Sequence, residues 1–166
     1  FGSHFLRPEE ALRLGHNVVF LHLSSVFPTI DEKGVLQRID FTHLDRKIKS
    51  ARTVVPDCKF MMVFSIGMRF IDAANRLGIK WPDARLKNAW QAWVKNLCAH
   101  LVAVGVDHDQ FLLQVVDEPG PAEAIKAAEL QNLAKAAVPK IRLVSFLTGF
   151  DPNPKHYDTF YGGLDY

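Results

Sequence analysis

Four short, mostly apolar runs constrain this chain more than any other feature: 17–23 (NVVFLHL), 59–65 (KFMMVFS), 111–116 (FLLQVV) and 141–147 (IRLVSFL). Each has the length of a strand, is bounded by turn-forming residues, and is separated from the next by a segment with helical spacing. A strand with one wet face alternates apolar and polar residues, so runs as continuous as these predict strands covered on both faces. Strands that alternate with helices pair in parallel through right-handed crossovers. The chain therefore reads as strand, helix, strand, helix, strand, helix, strand around one parallel sheet, an α/β fold.

The first helix is predicted from Thr42 to about Val54, with Thr42-His43-Leu44-Asp45 resembling a capping box and Leu44, Ile48 and Ala51 on the inner face. Residues 66–82, rich in turn formers and aromatics, read as a loop. From 83 to 104 the positions Leu86, Trp90, Trp93, Leu97, Leu101 and Val104 make one stripe of a long helix, closed by Gly105. Trp90 and Trp93 fall on that stripe and are expected in the core. Residues 121–138 are alanine-rich, with Ile125, Ala128 and Leu133 placed to face inward and Pro139 as the stop. Asp107, His108 and Asp109 precede the third strand and read as a turn at the end opposite the expected ligand site.

At 166 residues the chain has the size of a single domain, and residues 1–166 read as one βα-repeat unit. Four strands are half of an eight-stranded barrel, whose complete form takes about 250 residues. The chain is thus either part of a TIM (β/α)8-like barrel, incomplete or excised from a longer one, or a small open α/β sheet. It begins without Met and in mid-pattern, as an excised or processed piece would. Both architectures put the ligand at the carboxyl ends of the strands.

Lys plus Arg less Asp plus Glu is 20 − 18 = +2, with the basic residues scattered, so neither nucleic acid nor a membrane surface is an expected partner. No apolar stretch reaches the roughly 18–20 residues of a membrane span. Residues 1–7 have no signal-peptide pattern. Cys58 and Cys98, outside any CxxC or Cys/His grouping, read as two buried thiols. No HxH or HExxH spacing, phosphate loop, nucleophile elbow or Rossmann fingerprint occurs, so no metal or cofactor is expected.

The residues at or just after the strand ends are His22, Ser24 and Ser25; Ser65, Met68 and Arg69; Asp117 and Glu118; Thr148 and Asp151. The third set is the sharpest. Two adjacent carboxyls at the end of a strand that is apolar except for Gln114 are costly to ionise together, so one is expected to keep a proton near neutrality, as a general acid must. Alternation aims successive side chains at opposite faces, and only the turn at Pro119-Gly120 would bring both to one mouth. The competing reading makes Asp117 a turn cap and Glu118 a solvated loop residue.

Residues 111–119 (FLLQVVDEP) resemble the ending of the fourth strand in glycoside hydrolase barrels, where Asn-Glu-Pro or Asp-Glu follows a buried strand and the Glu is the acid/base. The Asp-Glu form, behind a Trp-containing helix that ends in Gly105-Val106-Asp107, is most similar to glycoside hydrolase family 123 and related barrel proteins. The resemblance covers roughly residues 40–150, and its specific part is 116–119. It implies hydrolysis of O-glycosidic bonds in a polysaccharide or glycan, with Glu118 protonating the departing oxygen. Asp117 would orient a substrate 2-acetamido group that attacks the anomeric carbon, so no separate protein nucleophile is needed. An extracellular or periplasmic location would follow from the same resemblance alone.

Under that resemblance a carbohydrate substrate is the expected partner, together with the remainder of a larger barrel, and the candidate substrate-binding residues are His22, Arg69, Trp81, Asp151 and Tyr157. His22 would bond a sugar hydroxyl or be satisfied structurally; Arg69 would hold an anion or hydroxyl, or be a solvated loop charge. Trp81, beside Pro82, is placed to stack on a sugar ring. Tyr157 sits among Phe160, Tyr161 and Tyr166, which line a subsite or pack under a loop. Asp151 is the only carboxylate soon after another strand, where a retaining mechanism would want one about 5–5.5 Å from the acid; a turn residue before Pro152 is the plainer reading. The rival function is a non-catalytic, barrel-derived domain that binds carbohydrate or a partner protein.

Overall fold

The computed structural model describes residue 10 and residues 13–63, 66–117 and 120–146. All four apolar runs contain strands: β1 (Val18–His22), β2 (Lys59–Val63), β3 (Phe111–Asp117) and β4 (Leu143–Phe146). They pair in parallel in the order β1-β2-β3-β4, which with the four α-helices delimited among the described residues makes an α/β fold around one parallel sheet. The order never reverses. Right-handed crossovers that always step the same way deposit every connecting helix on the same face, whereas a doubly wound sheet needs a reversal.

The side chains agree with that winding. Val19, Leu21, Phe60, Met62, Phe111, Leu113 and Leu143 share one face by register and strand alternation, and all join the core with Leu44, Ile48, Trp90 and Leu97 of the helices. On the opposite face, Val18, Phe20, Met61, Leu112 and Val144 are half-buried, and none of them belongs to that core or packs against it. The sheet was expected to be covered on both faces; among the described residues, helices pack on the first face alone. Continuous apolar runs do require a dry second face, but helix packing supplies only the first.

The helices are α1 (Thr42–Val54), α2 (Ile66–Arg76), α3 (Ala84–Ala103) and α4 (Pro121–Ala137). In α1 the expected Leu44, Ile48 and Ala51 are buried. Its entry differs from the predicted capping box: Asp40 Oδ1 accepts from the Thr42 backbone N–H at 2.9 Å. Hydrogen bonds from the Thr42 side chain and then its backbone hold the Asp40 carboxyl below its ordinary range. Asp45 turns to α3, where Oδ1 lies 2.6 Å from His100 Nε2, and the His100 ring stacks on Phe41 at 3.9 Å.

Helix α2 lies inside the segment that reads as a loop. Ile66, Phe70, Ile71 and Ala74 are buried at helical spacing. Gly67 lowers helix propensity, but it is the point where α2 presses on β3 and α4: a Cβ there would stand 2.6 Å from Leu130 Cδ1 and 3.0 Å from the Val115 carbonyl. Packing overrides propensity here.

Asp83 caps α3 by accepting from the Arg85 N–H at 2.8 Å, and Gly105, at φ +79°, ends it. The stripe Leu86, Trp90, Trp93, Leu97 and Leu101 is buried as predicted, while Val104 is half-buried. The two indoles stack at 5.0 Å, and their N–H groups reach opposite neighbours: Trp90 donates to the Leu130 carbonyl of α4, Trp93 to the Val26 carbonyl in the 3₁₀ turn Leu23–Val26 after β1. In α4, Glu123 reaches back to the Gly120 N–H at 3.2 Å. Its buried face is Ala127, Ala128, Leu130, Gln131 and Ala134, and Ile125 is 59% exposed, correcting its inward assignment. At 100° per residue, Ile125 lies about 160° round the helix from Ala127.

Cys58 and Cys98 are free and buried, as read from the sequence. Burial raises both thiols, Cys98 to about 12. At the amino ends of the strands, Asp107–Gln110 is the predicted turn, with Gln110 N–H donating to the Asp107 carbonyl. Arg52 of α1 ties it to the end of α3 through the Gly105 carbonyl at 2.6 Å and Gln110 Oε1 at 3.2 Å.

Candidate functional site

The carboxyl end of β3 departs from regular strand geometry. Gln114 pairs with Val144 and Asp117 with Phe146, so β3 advances three residues while β4 advances two. One extra residue is a β-bulge, and it reverses the alternation of everything after it. Val115 and Val116, consecutive along the chain, both enter the main core. Asp117 returns to the face of Gln114, and Gln114 Nε2 donates to Asp117 Oδ1 at 2.8 Å. In a regular strand residues three apart point to opposite sides and cannot make that bond. The sequence required a turn to re-aim a carboxyl at this point; a bulge one step earlier does it for Asp117.

Among the described residues, no helix packs its core on that face. Register continues the row from Gln114 through Val63 to His22 on one side and to Val144 on the other. His22 and Gln114 are two strands apart, about 10 Å at the usual strand spacing. His22 is the last residue of β1 and half-buried, Gln114 is 2% exposed, and Asp117 is exposed. A histidine, an amide and a carboxylate thus share the half-buried apolar face at the strand ends. Such a surface can hydrogen-bond a polyhydroxylated ligand while packing against its carbon skeleton.

Arg69 is exposed in the first turn of α2. It lines an open cleft of about 340 Å³ with Phe27, Asp72, Ala73 and Arg76, beyond the carboxyl ends of β1 and β2. Trp81 is elsewhere. Its Nε1 donates to Glu129 Oε2 at 2.6 Å, and Lys87 Nζ lies 5.5 Å over its ring. Glu129 is eight residues into α4, about 12 Å along the axis from the strand end. The indole is committed to a contact within the helix layer rather than to the mouth of the sheet.

Glu118, Asp151 and Tyr157 lie outside the described residues, as do Ser65 and Thr148. Gln114 is the residue that sequence reasoning passed over. Its signal was present: it is the single polar side chain in 111–116, a run that packing would fill with apolar groups.

Among the described residues no three His, Cys, Asp or Glu side chains gather as metal ligands, and no helix is long and apolar enough to cross a membrane. No protein-family model and no curated protein matches the chain.

Proposed function

We propose that the chain is part of a TIM-barrel glycoside hydrolase similar to family 123, cleaving O-glycosidic bonds of a β-linked amino sugar in a glycan. The observation that carries this reading is the bulge that turns Asp117 onto the helix-free face at the carboxyl end of the sheet, against Gln114. Barrel active sites occupy that end, and bulges there re-aim side chains. The unreversed strand order supports the barrel over an open doubly wound sheet, because a barrel winds in one direction only and keeps all its helices outside. In this reading the face carrying Phe20, Met61 and Leu112 is the barrel interior, and further strands complete it.

The chemistry divides between adjacent residues. Glu118 gives its proton to the glycosidic oxygen as the bond to the anomeric carbon breaks. The carbonyl oxygen of the substrate's 2-acetamido group attacks that carbon, forming a cyclic intermediate, while the Asp117 carboxylate accepts the acetamido N–H and holds it in line. Water then opens the ring, with Glu118 taking the proton back. In this reading His22 and Arg69, both near the carboxyl ends of the strands, bind sugar hydroxyls.

The test is hydrolysis of aryl β-glycosides with and without a 2-acetamido group by the full-length protein, its Glu118→Gln variant and its Asp117→Asn variant. Activity confined to the acetamido sugars and lost in both variants is expected. Full turnover by Glu118→Gln would make the assignment wrong, activity on plain glycosides would require a protein nucleophile, and inactivity on every substrate would favour a non-catalytic binding domain.

A further inference from the structure

We infer that the cleft beside α2 is a subsite for an acidic unit of the glycan, an inference that rests on the glycosidase reading above. The cleft holds about 340 Å³ and is lined by Phe27, Arg69, Asp72, Ala73 and Arg76, four of them from α2. At 100° and 1.5 Å per residue, Arg69 and Arg76 lie about 20° apart round the helix and about 10.5 Å apart along it. Ala73 falls between them in height, half-buried and too small to fill the gap, and the half-buried Phe27 supplies the apolar wall.

The charges in the cleft do not neutralise each other. Asp72 precedes Arg76 by four residues, the spacing and order at which a carboxylate and a guanidinium pair best on a helix. Among the described residues no ion pair joins them, and neither side chain makes a hydrogen bond. An arginine with no internal partner, at the edge of a cleft, can hold a carboxylate or sulfate through two parallel N–H donors. Arg69 adds a second positive charge to the same cleft, Asp72 accepts from hydroxyl groups, and Phe27 packs against a carbon skeleton. Anion, hydroxyls and carbon skeleton together are the chemistry of a uronate or a sulfated sugar.

The cleft opens beside the proposed site. Gly67, two residues before Arg69, is where α2 presses on Val115, two residues before Asp117. Arg69 therefore marks the end of the cleft nearest the mouth of the sheet, and Arg76 the end farther along the helix. The acidic unit is a neighbour of the amino sugar whose bond is cleaved, not that sugar itself.

The experiment is calorimetric titration of the full-length protein at low ionic strength with three thio-linked disaccharides. Each pairs a 2-acetamido sugar with a second unit that is neutral, a uronate or sulfated. An acidic disaccharide is expected to bind about fivefold tighter than the neutral one, and the preferred arm identifies carboxylate or sulfate as the ligand. Arg76 is exposed, so Arg76→Gln should leave the fold intact. It is expected to remove most of the preference while keeping affinity for the neutral disaccharide within about twofold. Equal affinity for neutral and acidic ligands would overturn the subsite, as would a preference that survives Arg76→Gln combined with Arg69→Gln. Binding is read without turnover, so the two readings fail separately. A protein that prefers the acidic ligands through Arg76 but cleaves no aryl glycoside would overturn the glycosidase reading and leave the acidic-glycan site standing.

Discussion

Replacing Gly67 with alanine sets two opposed effects against each other, and the packing of α2 decides the sign. In a helix, Gly to Ala is favourable by about 0.5–1 kcal/mol, through the entropy that glycine loses on folding. At Gly67 the added Cβ would meet Leu130 Cδ1 at 2.6 Å, the Val115 carbonyl oxygen at 3.0 Å and Val115 Cγ1 at 3.1 Å. Leu130 and Val115 are both fully buried, so neither can withdraw without disturbing the core. Overpacking of this kind costs about 1–3 kcal/mol. With a backbone oxygen among the contacts the upper part of that range applies, leaving the variant less stable by about 1–2 kcal/mol. At a urea slope of about 2 kcal/mol/M, the midpoint should fall by about 0.5–1 M. Trp90 and Trp93, both buried, provide the fluorescence signal. In a Leu130→Ala background the penalty should shrink, because the closest clash is gone. A midpoint raised by Gly67→Ala, as propensity alone requires, would refute the close approach of α2 to β3.

Two further predictions follow from side-chain hydrogen bonds. Trp93→Phe leaves a smaller buried ring and strips the N–H from the 2.8 Å bond to the Val26 carbonyl, and the lost packing and orphaned acceptor together should lower stability by at least about 1–3 kcal/mol in thermal unfolding; an unchanged Tm would contradict both the bond and the burial of Trp93. Asp83 is held down to about 2 from an ordinary 3.8, first by the Arg85 side chain and then by the Arg85 backbone N–H. A depressed carboxyl stabilises above its unfolded value and loses that contribution as pH falls. Asp83→Ala should therefore lower Tm at pH 6, with the gap to wild type closing as pH falls from about 4 to about 2; a gap independent of pH would contradict the cap.

The strands were legible because a strand's apolar run is a local property of the sequence, and so was the α3 stripe, whose period repeats over five turns of helix. The segment 66–82 was not, because Gly67 and the aromatics around it argue locally for a loop; the helix exists through its contacts with Val115 and Leu130, which lie 48 and 63 residues further on. Ile125 shows the same limit in reverse: an apolar residue near helical spacing, left outside because the phase of α4 is set by Ala127, Leu130 and Ala134 against the sheet.

The candidate site divides in the same way. The sequence by itself determined that carboxyls stand at the end of an apolar strand in a parallel α/β fold, since residue type and strand end are both written along the chain. Only the tertiary structure decided that the sheet runs in unreversed order with its helices on one face, and that Asp117 turns to the other face against Gln114. A bulge is a mismatch of counting between two strands, three residues of β3 against two of β4. No single strand carries that information, because register belongs to the pair.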